Sequence, residues 1–355
     1  MAQDAPPTQD EYIPRRMHRK PRHIGRTVLL SLLMVAITIV GVGGAYASKL
    51  GSALGSSTSV DINEVLPSYE GQPIKDPGDK SMNILLLGAD HSDSGEKLDF
   101  SATSTDQRSD SMMLVHIPAD RSGVYIMSIM RDTWVNIPGH GYAKINAAMQ
   151  YGGVPLLAQT LQNMLGVKID HFAGVDFNGF RGLTTAIGGV DVNNPKAFCA
   201  YKTTPDVCFD AGKIHVEGQR ALKWVRERHA FVDGDYQRVR NQQQFLKAVF
   251  KKTLSPQVLA DPLKVMDLAN EVLPYVTMDS ELRDPALLAG LAAQMKSLRS
   301  DDIHSFTLPN QGTGWSPDHQ SIVVADEAWI AKVGAALKAD DMGTLYPKLP
   351  ENFRK

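Results

Sequence analysis

The stretch NILLLGAD, Asn83 to Asp90, sets four consecutive aliphatic residues, Ile84 to Leu87, before a glycine and an acid. A strand with one face in water alternates apolar and polar residues. An unbroken apolar run suits a strand covered on both faces. Two further strand-like runs follow, Met112 to Ile117 and Val124 to Met130, joined by the turn-forming segment Pro118 to Gly123. That joint is a hairpin connection. In such a hairpin the start of the first strand and the end of the second share an edge, so Arg108 and Asp110 should lie near Arg131 and Asp132. If the Ile84 strand runs antiparallel to the Met112 strand, Asp90 joins them. Taken singly, an Asp after a strand is a turn residue, and Arg131-Asp132 is a surface ion pair. Their convergence at strand ends, where open sheets build sites, makes them candidates.

A second charged stretch, ALKWVRERHAFVDGDYQRVRNQQ from Ala221 to Gln243, packs Arg226, Arg228, Arg238 and Arg240 about Asp233 and Asp235. Planar, permanently charged guanidiniums suit phosphate or carboxylate, so the cluster reads as an anion site; the competing reading is a solvated helix face laced with ion pairs. If a helix begins at Asp235, then Asp235, Arg238 and Gln242 fall at i, i+3 and i+7 along one side of it. Helix N-termini favour anions. Arg226 and Arg228 share a face only where the chain is extended or leaving a helix.

The 355 residues are 43% hydrophobic and 21% charged with a formal net charge of -2, an ordinary globular balance that argues against a nucleic-acid partner. The N-terminus is the exception. Arg15, Arg16, Arg19, Lys20, Arg22 and Arg26 form a basic block that runs into the uncharged segment Thr27 to Ser48. Those residues, as a helix, span roughly 33 Å, enough to cross a bilayer. We expect a single signal-anchor helix, with residues 1–26 in the cytoplasm and everything after the span outside. A cleaved signal peptide competes, because Ala45-Tyr46-Ala47 has the form of a cleavage site, although the apolar run is longer than a signal core. The only two cysteines, Cys199 and Cys208, fall in the exported part; that location favours a disulfide, and their spacing makes a weak zinc site.

Residues 49–80, rich in Ser, Gly, Pro and Asp, read as a linker. Beyond the hairpin, a helix is expected from Asn146, resuming after Gly152-Gly153 to Leu165 with Pro155 in its first turn. Lys144, just before it, is a point charge for phosphate or simply exposed. A strand is expected over His171 to Phe177, helices over Gly179 to Ala186 and Gly218 to Arg226, and Phe245 to Phe250 as core of the Asp235 helix. Later segments alternate helices (Pro262 to Leu273, Pro285 to Leu298, Glu327 to Leu337) with strands (His304 to Leu308, Ser321 to Val324). The interleaving predicts an α/β/α sandwich with a mixed central sheet over residues 81–339, followed by a polar tail, 340–355. No nucleotide-binding, GxSxG or HExxH signature is present, so hydrolase and protease chemistry of those kinds has no support. His116, inside an apolar strand, reads as a core residue.

Together, Asn83-Ile-Leu-Leu-Leu-Gly-Ala-Asp90, Arg108-Ser-Asp110, Ser128-Ile-Met-Arg131-Asp132, Lys144-Ile-Asn146, Trp224-Val-Arg226-Glu-Arg228 and Gly234-Asp235-Tyr-Gln-Arg238 resemble the LytR-CpsA-Psr family, in the family's order over residues 83–250. The resemblance implies a phosphotransferase that moves a glycopolymer from a polyprenyl-pyrophosphate carrier onto peptidoglycan. It implies pyrophosphate binding by Arg108, Arg131, Arg226, Arg228 and Arg238, with Lys144 and Gln242 as further candidates. It also implies magnesium or manganese beside Asp90 and Asp110, and Asp235 as base or orienting acid. Catalytic roles fall on Asp235, Arg131, Arg226 and Arg238. The family places an arginine directly before the Gln-Gln pair, whereas this chain has Asn241 there and Arg240 one place earlier, about 100° round the helix. The family's SIPRD is SIMRD here. Bottom-up, attack by a sugar hydroxyl on a pyrophosphate needs arginine forks and a metal to neutralise phosphoryl charge. A lipid carrier needs an apolar channel, which Met112, Met113, Met127, Met130, Met149 and Met164 could line if they are not core. A pyrophosphatase and a membrane-anchored lipid-binding or regulatory protein are the alternatives.

Overall fold

The computed structural model describes residues 58–90, 100, 108–200, 207–253, 267, 270–295 and 297–354. The expected cytoplasmic tail and membrane span lie outside the described residues, as does most of the helix expected over Pro262 to Leu273. Among the described residues no helix is long and apolar enough to cross a membrane. For Asp90, Arg108 and Asp110 the backbone alone is described.

The chain opens with β1 (Thr58–Val60) and α1 (Ile62–Val65). The expected core follows: β2 (Met82–Asp90), β3 (Arg108–Ile117) and β4 (Val124–Ile129), then a small hairpin of β5 (Trp134–Ile137) and β6 (Gly141–Lys144). Next come α2 (Ala147–Leu165), β7 (His171–Asp176), α3 (Phe177–Ala186), β8 (Val190–Asn194), β9 (Phe198–Cys199), β10 (Cys208–Phe209) and β11 (Gly212–Val216). The two arginine-bearing helices are α4 (Gly218–Arg226) and α5 (Asp235–Thr253). The chain closes with β12 (Thr277–Asp279), α6 (Pro285–Gln294), β13 (Ile303–Thr307), β14 (Asn310–Trp315), β15 (Ser321–Ala325), α7 (Glu327–Lys338) and α8 (Met342–Leu345).

Seven strands form one sheet in the order β1-β12-β7-β2-β3-β4-β13. It is mixed: β2 pairs parallel with β7 and antiparallel with β3, and β13 pairs parallel with β4. The apolar run of β2 divides between two cores as a strand's period of two demands. Leu85 and Leu87 face α2 and α7, in a cluster with Leu114, Met127, Leu157, Leu161 and Val333. Ile84 and Leu86 face the other side, against Met113, Val115, Ile126, Leu246 of α5 and Leu291 of α6. Burying each such side chain contributes about 1.5–3 kcal/mol before the entropy of ordering it. The sandwich therefore follows from that run.

Gly152 and Gly153 break α2 as expected, Gly153 at φ +63°, and the helix resumes through Pro155 to a left-handed glycine cap at Gly166. A second core lies apart from the sheet. There Val190, Val192, Phe198, Phe209, Trp224, Val225 and Phe245 join α3, β8 to β11, α4 and α5. The sequence reading had one core over residues 81–339. Cys199 and Cys208 face each other across β9 and β10 and form the expected disulfide.

Three boundaries need correction. The stretch read as a linker is built into the domain from Thr58: β1 pairs parallel with β12 at the sheet edge, and Val60 and Val65 are buried. Three residues that pair across more than two hundred positions leave no local pattern to read. The stretch read as a polar tail is also packed, since Met342 and Leu349 are buried in the main core and Arg354 bridges to Phe306. α6 stops at Gln294, short of the expected Leu298. The β5–β6 hairpin, β11, β12 and β14, all four residues or so long or glycine-rich, were not legible at all.

Five of the six methionines that could have lined a lipid channel are buried packing residues. Met112, Met127 and Met149 sit in the α2-side core, Met113 on the opposite face, and Met130 against Val239 and Val323. Met164 is partly buried against the α2-side core. His116 is core, as read: it is buried and bonded to Asn83 Oδ1 (2.8 Å) and to Asp340 Oδ1 (3.0 Å).

Candidate active site

Helix α5 runs back along β4 and β13, because the buried Gln243 Nε2 donates to Ser128 Oγ (3.0 Å) and Thr307 Oγ1 (3.2 Å). Its first turn consequently lies where those strands end. Gly234, at φ +45°, turns the chain into the helix, and Asp235 is its first residue, the start on which the i, i+3, i+7 spacing depended.

The Asp235 carboxylate meets three guanidiniums from three parts of the chain. Its Oδ2 stands 3.3 Å from Arg238 Nη2, one turn along the helix, and 3.5 Å from Arg131 Nε, just beyond β4. Its Oδ1 accepts from Arg228 Nη1 at 3.4 Å. Arg238 is only 3% exposed, and a guanidinium so far from water needs a fixed partner. From Arg131 the ionic chain continues to Asp132 Oδ2 (3.7 Å), and from Asp132 Oδ1 to Lys144 Nζ (3.7 Å). The structure thus brings Arg131, Arg228, Arg238 and Lys144 together about Asp235 and Asp132. Among the described residues these four cations outnumber the two carboxylates they meet, a balance that suits an anionic ligand.

Arg226 goes elsewhere. Helix α4 ends at Arg226, and Glu227 is extended (φ -66°, ψ 131°), so the two arginines of Arg-Glu-Arg diverge. Arg226 lies over the Phe177 ring, its guanidinium carbon 4.0 Å from the centroid. Glu227, 5% exposed, caps the turn: its Oε1 accepts from the amides of Arg228 (2.9 Å) and Ala230 (3.0 Å), fixing where Arg228 starts. Arg240 also stands apart from Asp235, as its place on the helix predicts; it bonds Asp233 and Gln237. Burial pulls its guanidinium pKa below the ordinary arginine value, yet Arg keeps its charge at any physiological pH. Gln242 is half-buried on α5.

The backbone places the remaining candidates at the same edge. Asp90 pairs with Arg108 across β2 and β3, and the register shifts between Gly88 and Ala89, so Asp110 sits at a bulge opposite them. Met112 pairs with Ile129, which carries the start of β3 to the end of β4 and Arg131. The expected convergence of strand ends is therefore observed in the backbone. Among the described residues no group of three or more His, Cys, Asp or Glu could hold a metal by itself.

Sequence reasoning missed the layer beneath the arginines. Gln237 Nε2 donates to Asn241 Oδ1 (2.8 Å), and Asn241 Nδ2 to the Trp224 carbonyl (3.2 Å), tying α5 to α4 under the site. Asn241, where the family carries an arginine, is fully buried and acts as that tie. Tyr236 Oη donates to Asn310 Oδ1 (2.6 Å); burial raises its pKa, so it stays a neutral donor. The polar pair Gln237 and Asn241, at i and i+4 on one face of α5, was the available signal.

Comparison with known proteins identifies what the whole chain is similar to. The model of the LytR_cpsA_psr family matches residues 49–339. A polyisoprenyl-teichoic acid–peptidoglycan teichoic acid transferase, TagU, of Enterococcus faecalis is 26% identical over 308 residues, covering 86% of this chain and 93% of its own. The TagU of Bacillus cereus is 34% identical over 224 residues, covering 62% of this chain and 68% of its own. The crystal structure of B. subtilis TagV superposes with a TM-score of 0.62 at 26% identity, over 74% of this chain and 98% of TagV.

Proposed function

The chain belongs to the LytR_cpsA_psr family, and from that premise we propose that it is a membrane-anchored phosphotransferase which moves a glycopolymer from a polyprenyl-pyrophosphate carrier onto peptidoglycan. The observation that carries the reading is the ring of Arg131, Arg228 and Arg238 about Asp235, with Lys144 beyond Asp132. The named relatives transfer teichoic acid to peptidoglycan; here the polymer is left as a glycopolymer.

In the reaction an acceptor hydroxyl attacks the phosphorus that bears the glycan. A new O–P bond forms, the P–O–P bridge breaks, polyprenyl phosphate leaves with the electron pair, and the hydroxyl's proton passes to solvent water. Such chemistry asks chiefly for positioning and for charge on the phosphoryl oxygens. Arg131, Arg228 and Arg238 supply that charge. Asp235, ion-paired with three guanidiniums, acts as the organiser that keeps the forks apart and aimed, not as the proton acceptor. Arg226 lies on Phe177, outside the ring about Asp235.

A magnesium or manganese ion fits the donors at the strand ends. Magnesium binds through one or two carboxylates and completes its shell with water and phosphate oxygens, and the backbone sets Asp90 and Asp110 on adjoining strands beside Arg131. Those two residues would hold it. When bound it supplies a Lewis acid that neutralises phosphoryl charge. Residues 27–48 form the anchor that keeps the domain where a lipid carrier can be met, with the N-terminus in the cytoplasm and the catalytic domain outside.

The test is the full chain in detergent with a synthetic polyprenyl-pyrophosphate glycan, magnesium and an undecorated peptidoglycan acceptor, both products read by mass spectrometry. Glycan joined to the acceptor through one phosphate, lost in Arg228→Ala, supports transfer. Sugar phosphate released beside bare acceptor would make the protein a pyrophosphatase. An untouched, bound lipid would leave a binding protein.

A further inference from the structure

The hairpin of β5 and β6 alternates sharply. Val135 and Ile137 are buried in the main core, with Ala143 packed behind them, while Asn136 and Tyr142 are exposed. The register pairs Trp134 with Lys144 and Asn136 with Tyr142, so these four side chains share the face turned away from the core. Lys144 on that face is the residue that reaches Asp132, next to Arg131. A single sheet face therefore runs outward from the ionic cluster, and about 7 Å along it stands Tyr142, 64% exposed.

The face is fixed in register with the site. The Ile145 amide donates to the Thr133 carbonyl (2.8 Å) and the Asn146 amide to the Arg131 carbonyl (3.1 Å), closing the base of the hairpin on the Arg131 turn. At its tip His140 stacks on Tyr151 of α2, ring centroids 4.6 Å apart. An exposed aromatic on a braced strand offers a large rigid surface at little entropic cost.

We propose that this face is the acceptor subsite, on which a saccharide strand lies with one sugar ring stacked on Tyr142 and its hydroxyls met by Asn136. The ligand class follows from the neighbours: a ring face wants an aromatic, and hydroxyls want an amide. The side follows from the chemistry. Arg228 and Arg238 approach Asp235 from the α4–α5 side, which is the richer in guanidinium and is where a leaving phosphate is best held. In-line displacement brings the attacking hydroxyl in opposite the leaving phosphate, and that approach is given to the β5–β6 face, which joins the cluster through Lys144 at Asp132 and not at the α4–α5 arginines. The inference rests on the transferase reading for its assignment to the acceptor.

The experiment uses the full chain in detergent, with a soluble peptidoglycan-type oligosaccharide as acceptor and the lipid-linked donor. Initial rates are measured against each substrate in turn for the native protein, Tyr142→Ala, Tyr142→Phe and Asn136→Ala. Tyr142→Ala should raise the acceptor KM five- to tenfold and leave the donor KM unchanged, and Tyr142→Phe should restore native behaviour. An unchanged acceptor KM in Tyr142→Ala overturns the proposal, as does a donor KM that rises in step. Calorimetric titration with the oligosaccharide alone separates this from failure of the transferase reading. Binding that Tyr142→Ala weakens supports the subsite even if no product forms, and no binding to the native protein sinks it.

Discussion

Arg131, two residues past the end of β4, and Asp235, the first residue of the long helix, stand 3.5 Å apart although 104 positions separate them in the chain. The contact joins the sheet to the arginine stretch. It makes one site out of two charged segments that each have an innocent reading when taken alone.

Asp235 is predicted to organise the site without binding ligand itself. Asp235→Asn should lower turnover roughly a hundredfold, the scale of losing one preorganised electrostatic contact, while the donor KM stays level or falls because a competing negative charge is gone. Steady-state rates at saturating acceptor check this. A donor KM that rises sharply, with turnover kept, would place Asp235 in ligand binding instead.

Arg238 and Arg240, two residues apart, should behave differently. Arg238→Lys loses the planar fork and should cut turnover about ten- to a hundredfold, whereas Arg240→Ala, whose partners are Asp233 and Gln237, should stay within about threefold, less than one hydrogen bond's worth. Parallel kinetics on the two variants decide it. Equal losses would contradict the separation seen here.

These two arginines also show what the sequence could and could not reveal. Given a helix start at Asp235, the face holding Arg238 but not Arg240 was readable from helical spacing. So was the two-sided burial of Ile84 to Leu87, which fixed the sandwich. What was hidden depends on partners far away in sequence or on non-polar contacts. Arg226 turns onto Phe177, a pairing no spacing announces. Thr58 to Val60 finds its place only against β12, and Met342 and Leu349 find theirs only once the main core exists. Lys144 could be named from its motif, but its route to the site through Asp132 belongs to the β5–β6 hairpin, which is four residues a side and has no strong pattern.

Buried Asp279 should set part of the acid stability. Burial pushes its carboxyl up, and bonds from His171 and from the Phe172 and Leu282 amides more than offset this, so its pKa lies below the usual 3.8. A carboxyl depressed in the fold stabilises above its unfolded pKa, and the contribution is lost as pH falls through the folded value. Asp279→Asn should cost about 2 kcal/mol at neutral pH, with the gap to the native protein closing below about pH 4. Thermal melts from pH 3 to 7 measure it. A gap that is constant with pH would show that the charge has no part.

The Cys199–Cys208 disulfide should contribute roughly 2–3 kcal/mol, the chain-entropy value for so short a loop. Its neighbour Phe198 packs edge-on against Phe231 at 5.0 Å, in the turn between Arg228 and Asp235. Cys199→Ser with Cys208→Ser should therefore lower both the melting temperature and the turnover. A variant that melts lower yet retains full turnover at low temperature would show that the arginine turn holds without the clasp.

The ring about Asp235 is proposed to hold the carrier's pyrophosphate. The most direct measurement is a crystal structure of the protein with a non-hydrolysable polyprenyl-pyrophosphate analogue and magnesium. We expect both phosphates within hydrogen-bonding reach of Arg131, Arg228 and Arg238, with the metal on the Asp90 and Asp110 side. Phosphates seated away from those three arginines, for instance on the lysine-rich groove of Lys213, Lys251 and Lys252 beside β8, would contradict it.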